Sequence, residues 1–406
     1  MNSRAEAGRG GKNVRSDCLV AIELLDSGGI TIDLRSKVET LYGRSIRAMV
    51  EEMLAFYTIT DARIVVEDSG ALPYVLAARI EAAIRRLRPE ETREFLLPTR
   101  PGIALSTARD RLRRSRLYLP GNDPKLAINA GIHEADAIIL DLEDSVAPAE
   151  KDAARLLVRN TLREVDFMGA ERMLRVNQGA PGMEDLRMLI PQGPNLVLIP
   201  KVEEAAQVRD VHALIEELRQ RHGIAHDIHL MPIIESARGA LFAYDIATAA
   251  PSVVALAIGL EDYTADIGAE RTLEGRESFW MRGAVLNAAR AAGVQAIDTV
   301  FSDVNDMDGL YASVREAASL GFDGKGCIHP RQIAVVHRGF APTEADMEKA
   351  KRIVLAFDDA TRRGLGVVAL GSKMIDPPVV KRALRTIDLA VRSGVLSQTW
   401  KEEVQA

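Results

Sequence analysis

Eight apolar runs of strand length recur between residues 117 and 329, each followed by polar residues and then by a stretch of helical character. They are Leu117–Leu119, Ala137–Leu142, Met173–Val176, Leu196–Ile199, His229–Ile234, Val253–Ile258, Val294–Thr299 and Gly326–His329, with helices such as Glu203–Arg221 and Ser278–Ala292 between them. Short runs that are apolar without alternation suit strands covered on both faces, and such strands pair in parallel through crossover helices. Eight of them over about 215 residues predict an α/β fold of the (β/α)8 TIM-barrel type, although a doubly wound sheet has the same local pattern. The count of eight favours the barrel.

The remainder of the 406 residues divides around that unit. Residues 1–15, rich in Gly and Arg, read as a flexible tail. Residues 16–88 read as a small α+β domain, with a hairpin over Asp17–Leu34 about Ser27-Gly28-Gly29, a third strand over Arg63–Glu67, and helices over Arg44–Tyr57 and Tyr74–Leu87. Residues 89–113 hold Pro89, Pro98, Pro101 and Gly102 without periodicity and read as a linker. The barrel occupies 114–340, and 341–406 form a C-terminal helical extension or lid, with helices over Glu344–Arg363 and Val379–Ser393 joined by Gly364–Pro378.

Composition narrows the function classes. A net charge of −6 argues against nucleic acid as the principal partner, and the basic stretch Arg109–Arg116 reads as a solvated linker. No apolar run approaches a membrane span and no signal-like segment opens the chain, so a cytoplasmic protein is expected. Cys18 and Cys327 are too few for a disulfide framework or a zinc site.

In a TIM barrel the chemistry sits at the carboxyl ends of the strands. Here those ends read Pro120-Gly121-Asn122-Asp123, Asp141-Leu142-Glu143-Asp144, Arg175-Val176-Asn177, Pro200-Lys201, Glu235-Ser236, Gly259-Leu260-Glu261-Asp262, Asp298 and His329-Pro330-Arg331. Carboxylates converging on one mouth repel each other unless a cation neutralises them. Oxygen ligands without a Cys or His cluster favour magnesium, or manganese in its place. Arg175 is the candidate for a substrate carboxylate, gripped by its guanidinium fork. The bland alternative is that Asp141, Glu143 and Asp144 cap the next helix and the other acids pair with Arg175 and Lys201.

The strand ends stand in motifs: RSRLYLPGND (114–123), DAIILDLEDSVAP (136–148), RVN (175–177), PKVE (200–203), IIESARG (233–239), GLEDYTADIG (259–268) and GFDGKGCIHPRQ (321–332). In order and spacing they resemble the citrate lyase β-subunit family, which includes malyl-CoA and citramalyl-CoA lyases. The resemblance implies a magnesium-dependent lyase that cleaves, or forms by condensation, a 3-hydroxyacyl thioester such as citryl-, malyl- or citramalyl-CoA. The products are a 2-oxo acid, for example oxaloacetate, and an acyl thioester. It implies Glu235 and Asp262 as metal ligands, with Glu235 also on the substrate side, and Arg175 on the substrate carboxylate. Glu143 and Asp144 would act around the metal through water, Tyr118, Lys125, Ile328 and His329 would contact the CoA or carrier arm, and Arg114 would support the substrate or phosphate.

GSKMIDPPVVKRA (371–383) is similar to the terminal motif of longer family members, which delivers an Asp, here Asp376, to the active site of a neighbouring subunit. A homo-oligomer, trimer or hexamer, is implied, with further citrate-lyase-like subunits as added partners. SDCLVAIE (16–23), YGRSIRAMVEEML (42–54) and DSGALPYVLAARIEAAIRR (68–86) resemble the acyl-carrier, or γ, subunit of citrate lyase. That subunit carries a phosphoribosyl-dephospho-CoA arm on a Ser. Here Arg15 aligns with the attachment position and Ser16 follows it, so Ser16 carries the arm or the domain is a degenerate carrier and the substrates are free CoA thioesters. Two other readings remain: a metal-dependent 2-oxo-acid aldolase that uses no thioester, and a non-catalytic carrier or assembly protein.

Overall fold

The computed structural model of the chain describes residues 3–103, 106–364, 368–370 and 373–405. Two compact units emerge, one of residues up to 304 with 321–333, the other of 305–320 with 334 onward.

The first unit opens with a four-stranded sheet of β1 (Arg4–Gly8), β2 (Cys18–Leu24), β3 (Ile30–Ser36) and β4 (Ala62–Asp68), in the order β1-β2-β4-β3. Two sequence expectations change here. Residues 4–8, read as flexible tail, form an edge strand antiparallel to β2. The expected hairpin is split, because β4 lies between β2 and β3, antiparallel to one and parallel to the other. The start of β4 takes hold of the Gly29 turn instead: Asp61 Oδ1 accepts the Gly29 N–H at 2.8 Å, and Ala62 N–H donates to the Gly29 carbonyl at 3.1 Å.

The barrel strands are β5 (Ser115–Pro120), β6 (Ala137–Asp141), β7 (Glu171–Arg175), β8 (Leu196–Ile199), β9 (His229–Ile234), β10 (Ala255–Ile258), β11 (Gln295–Asp298) and β12 (Gly324–Cys327). All pair in parallel, and β12 returns to β5 to close the barrel. Ile139, Met173, Leu198, Met231, Ala257 and Ile297 are among the buried side chains that fill the interior. Closure leaves no sheet edge and sends all eight strand ends to one rim.

Residues 89–103 and 106–113 have no regular secondary structure, and from Arg109 onward they are fixed along the opposite, amino-terminal rim. Arg113 is fully buried on Glu171 at 2.7 Å, and Arg109 donates to the Val253 carbonyl at 2.7 Å. The basic run is thus a set of buried or carbonyl-capped side chains and not a solvated face, since Glu171 and the loop carbonyls replace water as partners.

Helix Pro73–Leu87 of the small domain packs on barrel helix Lys151–Glu164. Across that seam Arg159 forks onto Glu81 at 3.0 and 2.7 Å, and Asn160 donates to the Tyr74 carbonyl at 2.9 Å. The Arg159 and Glu81 side chains are both 0% exposed. Breaking a buried pair leaves an uncompensated charge. Arg159→Met, which strands Glu81 with Arg85 alone, is expected to cost about 3 kcal/mol, read as a lowered urea midpoint; an unshifted midpoint would mean that the seam carries no stability.

The second unit packs helices Glu344–Arg362 and Pro377–Arg392 through Ile353, Val354, Val380, Ala383 and Ile387. Val368–Leu370 pairs antiparallel with Lys373–Ile375. Helix Met307–Leu320, which the sequence reading counted with the barrel, clusters with this unit. Residues 365–367 of the Gly364–Pro378 connection, and Gly371 and Ser372 of the terminal motif, lie outside the described residues. Among the described residues no helix is long and apolar enough to cross a membrane.

Candidate active site

The carboxyl ends of the barrel strands surround a cavity of about 380 Å³ lined by Tyr118, Asp141, Asp144, Arg175, Glu235, Gly259, Asp262 and Ile328, among others. Its organising pair is Asp141 and Arg175, the last residues of neighbouring strands β6 and β7. Asp141 accepts Arg175 Nε at 2.6 Å and Nη2 at 2.7 Å, and it also accepts the N–H groups of Glu143 at 3.0 Å and Ser145 at 3.3 Å. One buried carboxylate therefore fixes both the guanidinium and the loop that carries Glu143 and Asp144. Burial works against the Asp141 charge, but the Arg175 fork outweighs it and holds the carboxyl below its ordinary range.

With Nε and Nη2 spent on Asp141, the remaining nitrogen of Arg175 is Nη1, which lies 3.0 Å from Glu143 Oε2 and 3.6 Å from Asp144 Oδ2. The bidentate grip expected from sequence is thus committed within the protein, to Asp141. The guanidinium also sits over the Tyr118 ring, 5.3 Å from its centroid. Lys151 braces the same loop from outside, donating to the Leu142 carbonyl at 3.0 Å, the Glu143 carbonyl at 2.9 Å, and Asn177 Oδ1.

Across the cavity, Glu235 follows β9 and Asp262 lies in the first turn of helix Leu260–Asp266 after β10. Glu235 Oε1 accepts the Lys201 N–H at 2.6 Å. Burial pushes its carboxyl up to about 8, with Asp262 and Glu143 adding to the shift. Lys201 has a left-handed backbone, φ +51°, a conformation that costs a non-glycine residue free energy and clusters at functional positions. Its ammonium reaches Glu143 Oε1 at 3.2 Å, Asp144 Oδ1 at 3.6 Å and Asp262 Oδ1 at 3.8 Å. Partial burial opposes the charge, but these carboxylates, Glu143 first, outweigh it and push Lys201 up to about 12.

The donor set fits a hard divalent cation. Among the described residues the cations paired with Asp141, Glu143, Asp144 and Asp262 are Arg175 and Lys201, so with Glu235 the acids remain in excess. Gly259 leaves room at the Glu235 carboxylate: a Cβ there would fall 2.3 Å from Oε2. Among the described residues no three carboxylates or imidazoles converge as a closed metal cage. Two carboxylates with the rest of the shell left to substrate and water is the arrangement magnesium takes.

Lys201 is the residue that the sequence reading passed over; it appeared there only as a pairing partner for the acids, and its one signal was a cation at an otherwise acidic rim. It competes with a metal for the same acids. Lys201→Met is expected to tighten Mn2+ binding about tenfold at low salt, since one charge a few ångströms away counts for more than a kcal/mol at a partly screened site. Titration followed by electron paramagnetic resonance reads this, and unchanged or weaker binding would contradict it.

Other expected site residues fall elsewhere. Arg114 precedes β5 and is paired with Asp136, which precedes β6, at 2.8 Å. It therefore lies at the amino-terminal rim, a strand length of roughly 20 Å from the mouth, and is committed to Asp136 instead of lining the cavity. Asp298, though at a strand end, is buried between Lys325 at 2.9 Å and Arg282 at 3.0 Å. Lys125 is exposed beyond β5, and His329 is half-buried with Nδ1 accepting the Arg331 N–H at 3.1 Å. Asp376, in the second unit, caps helix Pro377–Arg392 by accepting the Val379 N–H at 3.2 Å. Ser16 has φ +58° and donates its N–H to the Ser69 carbonyl at 3.0 Å.

Comparison with known proteins agrees with the barrel fold. The HpcH/HpaI aldolase/citrate lyase family model matches residues 114–330, more than half of the chain, and the model described as malonate decarboxylase delta subunit (MdcD) matches residues 7–87. The citrate lyase subunit beta of Leuconostoc mesenteroides is 40% identical over 288 residues, covering 69% of this chain and 94% of its own length. The mitochondrial citramalyl-CoA lyase of Homo sapiens is 33% identical over 327 residues, covering 77% and 96%. Among solved structures, the CitE protein of Mycobacterium tuberculosis in complex with magnesium, acetoacetate and coenzyme A superposes with a TM-score of 0.57 at 32% identity, over 71% of this chain and 100% of that one.

Proposed function

Because the chain belongs to the HpcH/HpaI aldolase/citrate lyase family and is a carbon–carbon lyase, we propose that it cleaves a 3-hydroxyacyl-CoA thioester to a 2-oxo acid and an acyl-CoA, with magnesium. The observation that carries this reading is the opposition, across one cavity, of Arg175 and the Glu235–Asp262 pair. Held by those two carboxylates, magnesium would polarise the oxygens of the 2-oxo-acid half and stabilise negative charge there.

The chain's own side chains do the rest. Arg175 Nη1 binds the substrate carboxylate, and the Asp141 fork keeps the guanidinium from turning. Glu143 and Asp144 take the proton of the 3-hydroxyl through water. As that oxygen becomes a carbonyl, the bond between the α- and β-carbons breaks and its electron pair passes to the thioester as an enolate. A carboxyl group then returns a proton to the α-carbon, and condensation is the reverse. We assign that group to Asp376 of a neighbouring copy, in keeping with a homo-oligomer.

Free CoA thioesters are the favoured substrates, because the buried Arg159–Glu81 pair and the Arg79 donation to the Asn122 carbonyl hold the carrier-like domain to the barrel. A carrier must travel between sites, and this one is fixed. Incubation with malyl-CoA, citramalyl-CoA or citryl-CoA, followed by NMR, is expected to show glyoxylate, pyruvate or oxaloacetate appearing with magnesium and not with a chelator. Absence of all three would sink the reading. Asp376→Ala is expected to slow turnover by about 10²-fold or more, the usual worth of a general acid, without altering Mn2+ affinity.

A further inference from the structure

The carrier-like domain meets the barrel at its active-site rim. Arg79, buried, forks onto Asp17 at 2.9 Å through both Nε and Nη2, and Nη2 also donates to the Asn122 carbonyl at 2.9 Å. Asn122 belongs to the loop after β5, two residues beyond Pro120, which lines the cavity. Arg9 reaches Asp123 of the same loop at 3.4 Å. The segment from Arg9 to Ser16 is thereby held beside the mouth.

That segment reads Arg-Gly-Gly-Lys-Asn-Val-Arg-Ser, with three cations and no acid. It turns back on itself, Val14 N–H donating to the Gly11 carbonyl, and Gly11 has φ +111°, which a side chain would disfavour. Lys37 is drawn in by donating to the Val14 carbonyl at 3.1 Å. Lys12, Arg15 and Lys125 are exposed and make no ion pair among the described residues, while Glu67, the acid beside Gly10, is paired with Arg35 at 3.5 Å. An acidic well and a basic rim thus lie close together on one face. Such a face suits a ligand with a metal-seeking head and a polyanionic tail joined by a neutral spacer.

We infer that residues 9–16 of the carrier-like domain, with Lys37 and Lys125, form an anchoring site for the phosphates of a nucleotide-bearing thioester, and that this ligand is free CoA. A tether on Ser16 would present the same chemistry from a covalent source. The inference rests on the lyase reading and adds to it a reason for keeping a carrier domain that no longer travels.

The test combines binding, kinetics and mass. CoA is titrated calorimetrically into the full chain and into the Arg9→Ala/Lys12→Ala/Arg15→Ala variant, whose changes are all at exposed side chains. The triple variant is expected to bind CoA at least about tenfold more weakly and with a flatter salt dependence, while its kcat and KM for the matching pantetheine thioester stay at the wild-type values. In the wild type, salt should weaken CoA binding and leave the pantetheine KM alone. Equal CoA affinity in the two proteins, with cleavage intact, overturns the anchor and spares the lyase. Failure of the wild type to cleave either thioester removes both. An added mass localised to Ser16 in protein from its native host overturns the assignment to free CoA, and the mass of the bare chain supports it.

Discussion

Glu235→Gln is expected to lower kcat/KM by about 10³-fold or more while the fold stays intact. The neutral amide keeps the size of the side chain and one oxygen to accept the Lys201 N–H, now at 2.6 Å from Oε1, so the loop after β8 should hold its place. What is lost is a carboxyl group beside Asp262 that can ionise onto a cation, and with it the affinity for a divalent cation whose Lewis acidity is worth several kcal/mol, or about three orders of magnitude in rate. Removing one carboxylate from a crowded, largely buried acidic cluster also relieves repulsion. The metal-free variant should melt no lower than the metal-free wild type. Steady-state kinetics beside thermal denaturation separate the two effects, and an active variant or a collapsed one would each contradict the assignment.

Asp298→Ala is expected to do the reverse and to attack stability. Its carboxylate is the shared partner of Lys325 and Arg282 in the barrel wall, all three buried. Burial opposes the Asp298 charge, but Lys325 and then Arg282 outweigh it, so its carboxyl lies below the ordinary range. A depressed folded-state value means that this stabilisation is complete above the unfolded carboxylate's pKa of about 4 and is lost as the pH falls below it. Deleting the acid at neutral pH leaves two cations facing each other in low dielectric, at a cost of about 3–5 kcal/mol. Chemical denaturation at neutral pH measures the loss. Asp298→Leu combined with Lys325→Met should recover part of it, because removing both members of a buried pair costs less than removing one.

The contrast between these two acids shows how far the sequence is legible. The eight barrel strands could be read because parallel strands covered on both faces are short, unbroken apolar runs; the β8 and β9 bounds, Leu196–Ile199 and His229–Ile234, coincide with expectation. Strand ends are legible as a class, and so Asp141, Arg175, Glu235 and Asp262 converge on one cavity. Which carboxylate at an end faces the cavity and which is consumed by the wall depends on partners brought from distant strands, as Lys325 and Arg282 are for Asp298. Arg114 falls away from the cavity for a related reason. It stands in a motif whose other end reaches the mouth, while its own position before β5 puts it at the far rim. The small domain's pairing was hidden too, since nothing local to β2 and β3 reports that β4 comes between them. Lys201 was hidden by its backbone: a left-handed residue after β8 cannot be seen in Pro200-Lys201-Val202, yet it turns the Lys201 N–H toward Glu235.

The account stands on a divalent cation held between Glu235 and Asp262 with Arg175 on the oxo-acid carboxylate. Diffraction from crystals of the full chain grown with Mn2+ and pyruvate, collected near the manganese absorption edge, tests this most directly. The predicted result is an anomalous peak bonded to one oxygen from each of the two carboxylates, with pyruvate completing the shell and its carboxylate on Arg175 Nη1. A peak elsewhere, or pyruvate bound with Lys201 in the metal's place, would contradict it.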